Sequence, residues 1–269
     1  MNILILGDVM GPSGVKAIKE KLPTLIKDKK IDFVVINGEN AADGGVGITK
    51  KNTEDFFNAG ADVITSGNHI WDEKETMKFI SEEKRLLRPE NSISPAPGEG
   101  YGIFKSKNNK KVAVVNLMGN VFMKKSEDVF ESAKKFIENI KLKKDADFIV
   151  VDVHAEITSE KMAMGYLFDG KATVVIGTHT HVPTSDSRIM EKGTAYQTDI
   201  GMCGDYNSVI GMNRDNSLKK FLKEPGSKKH FPALGEATIS GLIVKADDKT
   251  GLATKADPII IGGSLQERA

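Results

Sequence analysis

Five apolar runs, each short enough for one strand, end in side chains that bind metals or move protons. NILIL (2–6) leads into Gly7-Asp8, and IDFVVI (31–36) into Asn37-Gly38-Glu39-Asn40. ADVITS (61–66) leads into Gly67-Asn68-His69, FIVVDV (148–153) into His154, and ATVVI (172–176) into Gly177-Thr178-His179-Thr180-His181. Amphipathic stretches separate these runs. That alternation marks βα units, whose crossovers pair strands in parallel. In an open parallel sheet the carboxyl ends of the strands share one rim, where ligands bind. Four of the five histidines and two carboxylates are therefore expected in one cleft.

Further along the chain, helices are predicted over 14–27 and over 50–58, the second closing at Gly60. Asp72 and Glu75 have capping-box spacing, which predicts a helix to about Glu82. Residues 88–102 hold three prolines and three glycines and read as a crossover loop. Tyr101–Ser106 and Lys110–Leu117 flank a turn at Lys107-Asn108-Asn109, Ser126 is placed to cap a helix to about Lys141, and helix Ser159–Phe168 ends at Gly170. Beyond Ser187 hairpins dominate: Arg188–Glu191 with Ala195–Thr198, then Ala237–Lys245 with Ala253–Ile261. At about 150 residues per domain the 269 residues allow roughly 1.8 domains. Ligands running from Asp8 to His181 must meet in one cleft, so the prediction is one α/β domain over 1–269, two packed sheets flanked by helices.

Composition removes several function classes. The 38 Lys and Arg balance 37 Asp and Glu, a net charge of +1, which disfavours a non-specific phosphate-backbone binder. RNA is possible as a partner but not indicated, because the runs Lys27–Lys30, Lys107–Lys111 and Lys141–Lys144 fall at helix ends and turns, where lysines are ordinarily solvated. A lone cysteine, Cys203, excludes an intramolecular disulfide or a multi-cysteine zinc site and reads as a small buried residue. The run Ile3–Leu6 is too short for a signal-peptide core, and no stretch approaches the roughly 18 apolar residues of a membrane span. The expected compartment is the cytoplasm, with no membrane partner.

Each rim residue also has an ordinary reading. Asp8 could cap a turn, Glu39-Asn40 could form one, Asn68-His69 could close a loop, and His154 could be a satisfied strand-end histidine. Thr-His-Thr-His is more pointed. Histidines at i and i+2 of an extended segment face the same way with Cα atoms about 6–7 Å apart, a spacing that suits two neighbouring metals better than one. One metal centre accounts for all five placements together. The loop Asp43-Gly44-Gly45-Val46-Gly47 lacks the Gly-Lys-Ser/Thr ending of a phosphate-binding Walker sequence, and reads as a flexible entry to helix 50–58, with substrate contact the alternative. Thr198–Gly204 suits glycine-rich turns as well as a place near the site, and His230 lies outside every motif, as a surface or packing histidine.

The strings NILILGDVMG, VINGENAADGGVGIT, TSGNHIWD, VDVHAE, GTHTHVPTSD and TDIGMCGDYNSVIGM together resemble the calcineurin-like metallophosphoesterases, most nearly a bacterial branch of 2′,3′-cyclic-nucleotide phosphodiesterases. Departures from the wider superfamily are Met10 where a histidine is usual, Glu39-Asn40 where an aspartate is usual, and Ile70 where an acidic residue follows GNH. The Glu-Asn exchange is a habit of that branch. The resemblance implies a four-layer α-β-β-α sandwich of two mixed sheets and two metal ions, iron foremost with manganese or zinc allowed. It assigns Asp8, Asn40 and His181 to one metal and Asn68, His154 and His179 to the other, with Glu39 bridging. The implied reaction is attack of a metal-bridging hydroxide on a small phosphodiester or cyclic nucleotide, with His69 assisting the leaving group. A homo-oligomer is compatible with it. Alternatives are a nucleotide-binding regulatory protein with little turnover, or a phosphomonoesterase.

Overall fold

The computed structural model describes residues 1–268. The first half runs β1 (Asn2–Leu6), β2 (Asp8–Val9), α1 (Gly11–Asp28), β3 (Phe33–Asn37), α2 (Lys50–Ala59), β4 (Val63–Thr65) and α3 (Thr76–Phe79). The centre follows with β5 (Tyr101–Lys105), β6 (Lys111–Met118), α4 (Val129–Asn139), β7 (Phe148–His154), α5 (Thr158–Phe168) and β8 (Val174–Thr178). The last part contains β9 (Arg188–Ile189), β10 (Ala195–Gln197), β11 (Met202–Cys203), α6 (Arg214–Phe221), β12 (Ile239–Ala246) and β13 (Ala253–Ile261).

Two mixed sheets form the frame. The first has the order β13-β12-β1-β3-β4, with β1, β3 and β4 parallel; the second has the order β5-β6-β7-β8-β10-β9, with β6, β7, β8 and β10 parallel. Register brings the strand ends level: Leu6 pairs with Ile36, Asn37 with Thr65, Met118 with His154, and His154 with Thr178. That alignment is what gathers the loops after these strands.

Side-chain alternation along the strands divides the core. Leu4, Val34 and Ile36 pack with Ile18, Leu22 and Phe56 of α1 and α2. Ile3, Ile5, Phe33 and Val35 point the other way, into a cluster with Val112, Val114, Phe148 and Val150 of the second sheet. On that sheet's far side Val115, Ile149 and Val151 meet Phe136, Met164 and Phe168 of α4 and α5. Each such fully buried side chain contributes about 1.5–3 kcal/mol over leaving it in water.

Local chemistry sets most helix ends. The side chain of Thr49 accepts from Asn52 N, and Asn52 returns the bond to Thr49 N, while Gly60 closes α2 at φ 110°, a left-handed turn that favours glycine. The helix expected from Asp72 to Glu82 is reduced to the four residues of α3. Its intended caps are engaged elsewhere: Asp72 accepts from His69 and Lys124, and Glu75 accepts from Lys50 N. Asp128, not Ser126, caps α4 by accepting from Glu131 N. The short pair β2–β11 and helix α6, opened by Asn213, were not anticipated from the sequence pattern. Among the described residues no helix is long and apolar enough to cross a membrane.

Candidate metal centre

The rim formed by the level strand ends holds the side chains singled out above. Glu39, His154 and His179 present ligand atoms that all lie within 4.8 Å of one another. His154 Nε2 is 3.1 Å from Glu39 Oε1, 3.1 Å from Asn68 Oδ1 and 3.1 Å from His179 Nδ1. Asp8 Oδ1 stands 3.7 Å from His154 Nδ1 and 3.9 Å from His181 Nε2. Asn40 belongs to the same floor, through a backbone bridge with Met10 and an amide that donates to Gly45 O at 3.0 Å. His69 is linked through its backbone N, which donates to Glu39 Oε2 at 3.1 Å. All eight predicted site residues therefore lie along this rim.

The Thr-His-Thr-His segment reaches the site by a different backbone than expected. β8 stops at Thr178, and His179 and His181 adopt positive φ values of 95° and 64°, so the segment is not extended. Such backbone costs about 1–3 kcal/mol per residue and persists only where the surroundings hold it. Here Asp199 is the clamp, accepting from Thr180 N at 3.2 Å and Thr180 Oγ1 at 2.7 Å, between the two histidines.

The other ring nitrogen of each histidine is occupied, as in metal-binding imidazoles oriented by an outer partner. His181 Nδ1 donates to Ile210 O at 2.8 Å, His179 Nε2 is 3.0 Å from Glu156, and His154 Nδ1 meets Thr178 Oγ1 at 2.9 Å. Behind Thr178 lies Asp152, fully buried, which accepts from Thr178 Oγ1, Thr65 Oγ1 and Asn37 Nδ2. Sequence reasoning passed over these supports. Asp152 did leave a signal, as a charged residue inside a buried run and two positions before His154 on the same strand face.

Electrostatics follow from burial and crowding. Burial pushes Asp8 up to about 6, with His181 and His154 offsetting part of the rise. Glu39 is equally buried, yet the His154 charge and hydrogen bond bring it down to about 2. Burial lowers His154, but Glu39 and Asp8 outweigh it and raise the imidazole to about 9. Burial together with the neighbouring His154 charge drops His179 to about 3.

The donor set fits metal ions. Asp8 Oδ1 and Asn40 Oδ1 are buried without any hydrogen-bond donor, an expensive arrangement unless a cation faces them. Gly67 leaves the needed room, since a Cβ there would run into His154 Nε2 and Glu39 Oε2. Nitrogen and oxygen donors without thiolate suit iron, manganese or zinc.

Glu39 and Asp8 hold a proton on His154 at neutral pH, and a metal taken up at its Nε2 would have to compete with it. Apparent metal affinity is therefore expected to rise about tenfold per pH unit from about pH 7 towards about 9 and then level off. Calorimetry in two buffers of different ionisation enthalpy measures the released proton, and a pH-independent affinity across that window would contradict the assignment.

Other candidates take quieter places. Cys203 is buried in the α1 core cluster, and burial pushes its thiol up to about 12. His230 is exposed, and Gly45 and Gly47 carry positive φ in the loop before α2. The segment Thr198–Gly204, which had two readings, contributes Asp199 beside the histidines.

The sequence profile of the YmdB-like protein family matches residues 4–259. The chain is 44% identical over 261 residues to the 2′,3′-cyclic-nucleotide 2′-phosphodiesterase of Bacillus subtilis, with 97% of each covered. A crystal structure of a hypothetical protein from Thermus thermophilus superposes with a TM-score of 0.88 at 36% identity, covering 100% of both chains. That of a novel phosphatase from Mycoplasma pneumoniae gives 0.88 at 35% identity, covering 97% of this chain and 93% of that one.

Proposed function

Because this chain belongs to the YmdB-like protein family, we propose that it is a metal-dependent phosphoric diester hydrolase acting on 2′,3′-cyclic nucleotides or similar small phosphodiesters. The observation that carries the reading is the convergence of Glu39, His154 and His179, next to the orphaned oxygens of Asp8 and Asn40. We assign Asp8, Asn40 and His181 to one metal, Asn68, His154 and His179 to a second, and Glu39 to both. When bound, such a pair would activate water, neutralise the phosphoryl oxygens and steady an in-line displacement. Iron is the metal we favour, with manganese or zinc as substitutes.

The chain's own contribution to leaving-group departure falls to His69. A carboxylate only accepts hydrogen bonds, so the 2.6 Å contact with Asp72 Oδ2 places one proton on His69 Nδ1; the imidazolium form carries its second proton on Nε2, the atom that would deliver it to the departing alkoxide and leave the neutral ring. His69→Ala is expected to keep full metal content while kcat for 2′,3′-cyclic AMP falls about 10²–10⁴-fold. Turnover of bis-p-nitrophenyl phosphate, whose leaving group needs no proton, should fall far less. Loss of metal in the variant would instead make His69 a structural residue.

The four-layer α-β-β-α order belongs to this reading and is supported by the three apolar clusters that separate helices, sheet, sheet and helices. So does the single domain over 1–269, since the first sheet joins strands from both ends of the chain around the segment that forms the second. A lone buried cysteine, which leaves no disulfide to maintain, suits the cytoplasm.

The test is elemental analysis of freshly purified protein together with a phosphoester panel. Two metal equivalents and chelator-sensitive hydrolysis of 2′,3′-cyclic AMP are expected; no diester turnover with iron, manganese or zinc would overturn the proposal. A phosphomonoesterase is the competing reading, favoured by the name of the Mycoplasma pneumoniae relative. The ratio of monoester to diester turnover decides between them.

A further inference from the structure

The loop that carries Asn68 has two sides. Its amide oxygen faces His154 Nε2 at 3.1 Å, while Gly67, Asn68 and Trp71 line a neighbouring cavity of about 390 Å³ completed by Ile93, Pro97 and Met118. That volume lies within the range of small-molecule sites, about 300–1,000 Å³. Trp71 packs partly against the α1 and α2 core cluster, which leaves it anchored as one wall of the cavity. Met77 and Ile93, also on this cavity, are 56% and 44% exposed, so its apolar lining is open to an incoming ligand. Lys124 sits at the join, where its ammonium donates to Asn68 O at 2.7 Å and to Asp72 Oδ1 at 3.1 Å, keeping a third N–H for an anion.

We propose that this cavity takes the nucleobase of a nucleotide whose phosphate sits at the metal centre, so that Trp71 and Ile93 are specificity-determining contacts. The proposal rests on the phosphodiesterase reading for its substrate. Three observations favour a base over another occupant. The cavity adjoins the metal centre through Asn68 itself; its wall offers an anchored indole, on which any base can stack; and the charged residues on its lining, Lys124 (paired with Asp72) and Lys125, are cations, suited to the phosphate end. A larger cavity, about 520 Å³ between α1 and Leu234–Ala237, is lined by Lys16, Glu20, Lys21 and Glu236 among others and contains no residue of the metal centre.

Trp71 is the only tryptophan, so indole fluorescence reports from the wall of this cavity. Titrating the metal-loaded protein with adenosine should give a saturable change, and ribose without a base should give none. Ile93→Asp, at an exposed position, should weaken adenosine binding about tenfold and raise KM for 2′,3′-cyclic AMP similarly. The same variant should hydrolyse ethylene phosphate, the five-membered cyclic diester without a base, at the parent rate. A silent Trp71 at saturating adenosine, or an unchanged KM in Ile93→Asp, would overturn the base pocket. Adenosine binding without hydrolysis of any diester would uphold the pocket and overturn the phosphodiesterase reading, so the two failures are distinguishable.

Discussion

Glu39→Gln should lower kcat for 2′,3′-cyclic AMP by about 10³-fold or more, because several kcal/mol of transition-state stabilisation depend on the metals it is assigned to share. Glutamine keeps the size of the side chain and an oxygen for the hydrogen bond from His69 N, so the fold is expected to survive. What disappears is the charge. Glu39 is the sole carboxylate of the trio with His154 and His179. Circular dichroism should match the parent and thermal melting should match the metal-free parent, while elemental analysis shows reduced metal. Near-parental turnover with a normal melt would remove Glu39 from the centre.

Lys161→Met is expected to cost about 3–5 kcal/mol of folding stability, the usual consequence of removing one partner of a buried ion pair. Lys161 Nζ lies 2.8 Å from Asp199 Oδ2, and both side chains are only 1% exposed. Asp199 also accepts from Thr180 and from Gly201 N, so its charge holds the strained segment between His179 and His181. Left alone, that carboxylate is uncompensated and the clamp loosens, and activity should fall with stability. Urea unfolding measures the loss as a lower midpoint at unchanged slope. The double variant Lys161→Met/Asp199→Asn should regain part of it, since no buried charge remains. A single variant as stable as the parent would show that the pair contributes nothing to the fold.

The centre was legible because its residues follow apolar runs, and a parallel sheet brings the ends of such runs to one edge. The arrangement of the Thr-His-Thr-His segment was less so. Two histidines two apart in a strand would share a face without strain, yet His179 and His181 are turned inward by positive φ that Asp199, eighteen or more residues away, holds in place. Asp72 shows the same limit. Spacing made it a helix cap, but a capping bond is worth about 1 kcal/mol, and His69 and Lys124 claim the carboxylate instead. Helix α6 was missed for another reason: Arg214–Phe221 leaves Leu218 and Phe221 exposed, so no apolar face pointed to a core.

Sequence alone determined which side chains stand at the strand ends, because strand and crossover patterns are local and parallel pairing follows from them. Tertiary structure decided what stands behind those side chains. Asn37, Thr65 and Thr178 reach Asp152 across separations of 115, 87 and 26 residues, and Lys161 reaches Asp199 from a helix on the far side of the sheet. Such partners are chosen by strand register and helix packing. Neither is written in spacing, since both emerge only when the three apolar clusters close together.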